Sequence, residues 1–421
     1  MSAKPNTRPA GSGRTSGSQP SSEHGSIGEL SRTENRTQAP VTVNLGVHGT
    51  VDRDMALPAL LAAFHHRHPG IRVHTITLPP DPRRFIKEYS ASGLVDAYLI
   101  NRQYFQEIAE SGMLDTLEPL APAPGTYRFL EETFTRHDSL YARPILFSPI
   151  VLCYNRQHFR EADIPEPDAG WRWRDAQNAA RKLSESGRYG LAFHERSANR
   201  WPVFLLQSGM RFEPGPDGRC DISGTALLQS IRIYSDIIHD TKAFPRLLSE
   251  TSDDIGQLFA SGKASMILAS YMSLNELLRS DLDYDLSPVP YFREPKTLTI
   301  AMGMCISNQS PVKEAALLVA DFLSSEEGQR IIRQRTLSIP ALKRVAEAEA
   351  EDGLNRPRRY DLFRDILPYM QFHHDLNLTG AGFRHLWQLL KQYWSRLIDD
   401  ETLCQRIAES VSGHILHKEK P

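Results

Sequence analysis

Cysteine is scarce, long apolar runs are missing, and neither sign of charge is in excess. The 421 residues hold 4 cysteines, at Cys153, Cys220, Cys305 and Cys404. None lies near another, so there is no C-x-x-C pair and no zinc-ligand spacing. Cys153 and Cys305 sit inside apolar runs and read as small buried hydrophobes. No stretch of about 18 apolar residues occurs, which leaves no candidate transmembrane helix. The net charge of -2 gives no reason to expect a nucleic-acid or membrane surface over the whole chain.

Residues 1–40 are nearly devoid of aliphatic side chains, Ile27 and Leu30 apart, and are rich in Ser, Gly, Pro, Thr, Arg and Asn. Such a segment buries too little apolar surface to offset its ordering entropy, so it reads as a disordered tail. It also lacks a lipobox-like cysteine and the apolar core, about 7–15 residues long, of a secretory signal. The chain as written is therefore expected to stay in the cytoplasm.

What remains is ordinary for a globular chain, with 40% apolar and 24% charged residues. Its length suggests about two or three domains. In VTVNLGVHG (41–49), Val41, Val43 and Leu45 alternate with Thr42 and Asn44, as in a strand. Residues 52–68 carry Met55, Leu57, Leu60, Leu61 and Phe64 at helical spacing, and Pro69-Gly70 ends that helix. IRVHTITL (71–78) is a second strand. Strand, helix, strand within about 40 residues is a βαβ unit and calls for parallel pairing. Further helices are expected at 82–91, 103–111 (with Gly112 as its C-cap), 156–162, 171–185, 224–240, 253–261, 312–335 and 382–398. Further strands are expected at 95–100, 144–154, 189–193, 264–269, 284–290 and 300–306. The alternation is α/β throughout.

Several stretches in order resemble one family. HPGIRV (68–73) is similar to its helix end, turn and second strand. DAYLINRQYFQEIAESGMLDTLEPL (96–120) resembles its Asp-strand-helix-Gly-Leu-x-x-Leu segment. YARPILFSPIVLCYNRQHFREADIPEPDAGWRWRDAQNAARKL (141–183) resembles its Pro, apolar strand, Tyr-Asn, short helix and Trp-x-Trp. LFASGKASMIL (258–268), YDLSPVP (284–290), AALLVADFLSSEEGQRII (315–332) and SIPALKRVA (338–346) complete the order. These are marks of the family 1 extracellular solute-binding proteins, the carbohydrate receptors of ABC importers. The missing signal peptide and Ala269-Ser270-Tyr271, where the family often has Trp, depart from its pattern.

The resemblance implies an α/β, two-lobe periplasmic-binding-protein-like fold of type II, each lobe a mixed sheet flanked by helices. It places lobe one at 41–150 plus 301–334 and lobe two at 151–300 plus 335–421, with hinge crossings near Ser148–Leu152, Ile300–Met304 and Arg333–Ser338. It implies a mono- or oligosaccharide bound in the interlobe cleft, ABC permease subunits as partners, a monomeric chain, no cofactor and no direct contact with nucleic acid.

Sugar recognition needs aromatic faces against ring C–H groups and polar groups against hydroxyls. In such a fold both should sit at the carboxyl ends of strands. His48 and Thr50 follow the first strand, either as cleft contacts or within a solvated loop. Tyr98 is a platform or a core residue; Asn101 is a contact or a helix cap. Trp201 stands before an apolar helix, as a stacking face or as packing at the helix start. Tyr271 ends a strand, and Phe383 in GAGFRHLW offers a platform from the last helices. Trp171 and Trp173 read as packing anchors, and Trp387 and Trp394, seven apart, as core. HHRH (65–68) ends an amphipathic helix with no third ligand in view, so no metal site is expected. No nucleophile motif marks an enzyme, and the adjacent carboxylates Asp253-Asp254 and Asp399-Asp400 cannot face one site together, which leaves a glycosidase's two opposed acids open and an enzyme not expected. A second reading is a cytoplasmic sugar-sensing domain related to transcription regulators.

Overall fold

The computed structural model describes residues 39–49, 51–79, 84, 88, 93–117, 125–194, 197–240, 255–349 and 353–416. Almost all of the expected tail over 1–40, most of the helix expected at 82–91, and Thr50 lie outside the described residues.

The chain opens with β1 (Val41–Val47), α1 (Leu57–Arg67) and β2 (Ile71–Thr77). β1 and β2 pair in parallel from Val41↔Ile71 to Val47↔Thr77, as the βαβ spacing predicts. The helix expected over 52–68 is broken: Val51–Asp54 forms one turn, Ala56 turns left-handed at φ 55, and α1 follows. Pro58 lies in the first turn of α1, where its missing N–H cannot continue the earlier turn. HHRH takes part in the packing of this unit. His65 Nε2 accepts from the Val73 N–H at 3.0 Å, and His68 stacks on Phe64 at 4.8 Å.

Next come β3 (Ala97–Asn101), α2 (Arg102–Glu110) and α3 (Arg128–Phe134). Gly112 just past α2 has φ +72, the left-handed value a helix C-cap requires. The long strand β4 (Arg143–Asn155) then runs for 13 residues, every one buried. Asn155 ends it by accepting the His158 N–H at 3.1 Å, which caps α4 (Arg156–Glu161). Beyond lie α5 (Trp173–Ser184), α6 (Trp201–Leu206), α7 (Ala226–Ile238), β5 (Met266–Ser270) and β6 (Tyr284–Ser287). The strand expected at 189–193 is reduced to two bridges, Tyr189↔Ala264 and Ala192↔Ile267. The C-terminal part holds β7 (Thr297–Ile306), α8 (Lys313–Ser324), α9 (Glu326–Arg335), β8 (Ile339–Pro340), β9 (Met370–Gln371), α10 (Gly380–Trp394) and α11 (Asp400–Ser410). One helix was expected over 312–335, but Ser325 divides it, with ψ 163 and its side chain accepting the Gly328 N–H.

β4 joins two sheets by changing partners midway. Its first part pairs antiparallel with β7, from Arg143↔Met304 to Pro149↔Thr299, in the path β8-β4-β7-β3-β1-β2. From Ile150 onward it pairs instead with β5 (Ile150↔Ser270 to Tyr154↔Met266) and with β6 (Leu152↔Ser287 to Asn155↔Tyr284). Pro149, with no N–H to place in a ladder, stands where partners are exchanged. β8 pairs Ile339↔Phe147 on the first sheet, although the resemblance puts 335–421 with the second lobe. The result is a two-lobe fold, each lobe a sheet with flanking helices.

Candidate functional site

Between the lobes, three segments converge: the start of α2, the loop before α6, and the turn at 372–375 with the first turn of α10. Asn101 ends β3 and caps α2, its side chain accepting the Gln103 N–H at 3.0 Å. That capping sends the next residue, Arg102, out of the strand end. Its guanidinium is 5.6 Å from the Phe105 ring, and burial pushes its pKa down to about 10, with Asp375 opposing the shift.

The 372–375 turn is held by Asp375, which accepts the Phe372 N–H at 2.8 Å. His373 Nε2 lies 2.9 Å from the Ala198 carbonyl, and its ring meets Phe383 edge-on at 5.2 Å. Burial lowers the His373 pKa to about 4, so its imidazole is neutral at pH 7 and donates from Nε2. His374 stacks on Phe372 at 5.7 Å. Burial, then the charge of Arg102, depress its pKa. Trp201 stacks on Phe383 at 4.8 Å and on Trp387 at 5.6 Å. Phe129 of α3 reaches Phe372 at 6.4 Å.

Five buried polar atoms on these segments have no hydrogen-bond partner among the described residues: Arg102 Nε, Asn199 Oδ1, Trp201 Nε1, Thr299 Oγ1 and His374 Nδ1. Thr299 is grouped with them because it follows Leu298, which pairs with Gln371, the residue before Phe372. Buried polar groups are nearly always paired, so these unpaired ones among aromatic rings mark the candidate site.

Three residues expected to face a ligand are enclosed. Tyr98, Trp201 and Tyr271 are 1%, 1% and 0% exposed. Tyr98 lies in the middle of the first sheet, on β3 opposite Cys305. The Tyr271 hydroxyl donates to the Tyr360 carbonyl at 2.9 Å, and its ring packs edge-on against Tyr360 and Phe363. Neither offers a face to a ligand. Trp201 is largely committed to packing against α10, with only its Nε1 left unsatisfied. Asn101 is occupied as the α2 cap. His48 is half-buried with its ring 6.0 Å from Tyr104, and burial lowers its pKa. Phe383 sits at the convergence itself, also buried, with 9% of its surface exposed and its ring stacked on Trp201. Trp173 is an anchor: it stacks on Phe204 at 4.2 Å and donates to Gln207 Oε1 at 2.8 Å. The sequence reasoning passed over Arg102, His374, Asn199 and Thr299. Arg102 was open to discovery, since it directly follows the carboxyl end of β3.

Among the described residues no group of three His, Cys, Asp or Glu converges as a metal site, and no helix is long and apolar enough to cross a membrane. All four cysteines are free and buried.

Two lobes sharing a strand, with rings and unpaired polar atoms meeting between them, define a binding protein of the solute-receptor class. A family model described as bacterial extracellular solute-binding protein matches residues 59–356, and the chain belongs to that family. A protein of Brucella abortus (strain 2308) that carries the name of a binding protein is 24% identical over 299 residues, 68% of this chain and 72% of its own. The galactooligosaccharide-binding protein of Bacillus subtilis (strain 168) is 23% identical over 228 residues, 50% of this chain and 51% of its own. In fold, the chain is similar to the cycloalternan-bound ABC substrate-binding protein of Listeria monocytogenes, with a TM-score of 0.74 at 18% identity, over 89% of this chain and 98% of that one. It is also similar to the GacH receptor of Streptomyces glaucescens, with a TM-score of 0.77 at 16% identity, over 88% of this chain and 97% of that one. The family's description is extracellular, and neither the cytoplasmic placement nor the sensor alternative gains support from these comparisons.

Proposed function

We propose that this chain captures a mono- or oligosaccharide between its lobes, without turning it over, as the receptor subunit of an ABC-type importer. The observation that carries this is the set of unpaired buried atoms, Arg102 Nε, Asn199 Oδ1, Thr299 Oγ1 and His374 Nδ1, beside the rings of Phe372 and Phe383. Rings cover the apolar side of a sugar, and donors and acceptors held in place bond its hydroxyls. A relative named for a galactooligosaccharide and structures bound to cycloalternan or acarbose support the same ligand class. The family description supports handing the sugar to permease subunits and placement outside the cytoplasm.

The test is a thermal-shift screen against a carbohydrate panel, followed by calorimetry and chromatography of the sugar afterwards. At least one sugar should raise the melting temperature saturably and be recovered intact. A panel with no saturable hit, or a hit recovered as cleaved product, overturns the proposal.

A further inference from the structure

A cavity of about 1000 Å³ lies away from the cleft residues, between the 3-10 helix Met272–Arg279 and the α9–Arg344 region. We propose that it is a binding site for a small polyvalent anion carrying two or more phosphate or carboxylate groups. This inference does not rest on the sugar reading.

Its wall carries Arg279, Arg330, Arg333, Arg335 and Arg344 against Glu276, Glu326 and Glu349, an excess of two positive charges (five minus three). The acids do not absorb all of them. Glu326 takes both Arg330 and Arg344. Arg279 and Arg335 are exposed and have no ion pair among the described residues. Arg333 is fixed in the wall: its guanidinium stacks 4.0 Å over the Tyr360 ring, and Nη2 donates to the Ala348 carbonyl at 3.1 Å. Guanidinium groups match phosphate and carboxylate as planar forks, and several in one concavity suit an anion with more than one such group. The volume exceeds what a single phosphate fills and lies in the range of sites for small molecules.

Hydrogen bonds join the walls to one another. Asn275 accepts the Leu337 N–H at 2.6 Å through Oδ1, which docks the 3-10 helix on the chain just after α9. Arg356 holds that same stretch by donating to the carbonyls of Arg333 and Thr336 at 2.8 and 2.9 Å.

The test compares the full chain with the double variant Arg279→Ala/Arg335→Ala. Both side chains are exposed, so the variant should melt within a few degrees of the parent; circular dichroism verifies its fold. Sodium pyrophosphate and sodium citrate are titrated at constant ionic strength, with sodium chloride as control, by thermal shift and calorimetry. Saturable binding by either anion in the parent, weakened tenfold or more in the variant, is the expected result. A response to pyrophosphate alone identifies a phosphate site, and one to citrate alone a carboxylate site. No saturable response to either anion, or one undiminished in the variant, overturns the proposal. Should the variant unfold, Arg279→Gln and Arg335→Gln are read singly, and each should weaken binding at least threefold; unchanged binding in both overturns it.

Discussion

Arg102 combines a charge, partial burial and an unpaired Nε at the end of a strand. A hydrogen bond to a charged group contributes about 1.5–3 kcal/mol, so Arg102→Ala should weaken sugar affinity by roughly tenfold to a hundredfold. The melting temperature without sugar should move little; calorimetry reads the first and a thermal melt the second. Trp201→Ala should act in the opposite manner. The ring is buried against Phe383, Trp387 and Trp394, so its removal leaves a cavity and costs about 3–5 kcal/mol of stability in denaturant titration. Histidines supply a third residue-scale expectation. Burial lowers the pKa values of His158 and His373 to about 4, while the unfolded chain titrates near 6.5. Between these values the unfolded state binds more protons, so stability present above pH 6.5 is lost as pH falls toward 4. Each histidine should remove about 1 kcal/mol between pH 7 and 5.5, which urea titrations at the two values measure. His158→Gln should remove its share of that drop.

At the scale of elements, the order of strands and helices was largely legible because alternation and helical spacing are local signals. β1, β2 and their helix follow from apolar positions alone, and Asn155 closing β4 follows from its position before a helical stretch. The misses arise where distant contacts decide. Tyr271 looked like a cleft residue until Tyr360 and Phe363, some ninety positions away, enclosed it. Arg102 and His374 were invisible as a pair because only the fold brings α2 beside the 372–375 turn. The lost strand at 189–193 has a similar cause. A Cβ on Gly190 would stand 1.9 Å from the Ala180 carbonyl oxygen, so this segment runs hard against α5 and uses its space for that contact. Gly190→Ala should therefore force the helix and loop apart and destabilise the fold by about 2 kcal/mol or more, whereas the same change at exposed Gly70, with open space around it, should stay within about 0.5 kcal/mol.

For the whole molecule, closure depends on what spans the lobes besides the shared strand. α2 stems from β3 of the first sheet, while α10 packs through Trp387 and Trp394 on Trp201 and Tyr234 of the second lobe. Pro40–Pro421 forms one compact unit. Across the gap, Arg384 Nη1 of α10 reaches Glu107 Oε2 of α2 at 2.9 Å, with side chains 33% and 25% exposed. A half-screened pair of this kind contributes about 1 kcal/mol, and it does so only while the lobes are together. It therefore biases the open–closed equilibrium, and any ligand that prefers the closed form gains affinity from it. Glu107→Gln and Arg384→Gln should each weaken sugar binding about threefold to tenfold, mostly by faster dissociation, with the double variant no worse than either single one. Stopped-flow dissociation of the sugar identified by the panel reads the rate. Small-angle scattering without sugar should show a larger radius of gyration in both variants. Additive losses in the double variant, or dissociation rates equal to the parent's, would mean that the pair decorates the rim and that closure is governed by the shared strands alone.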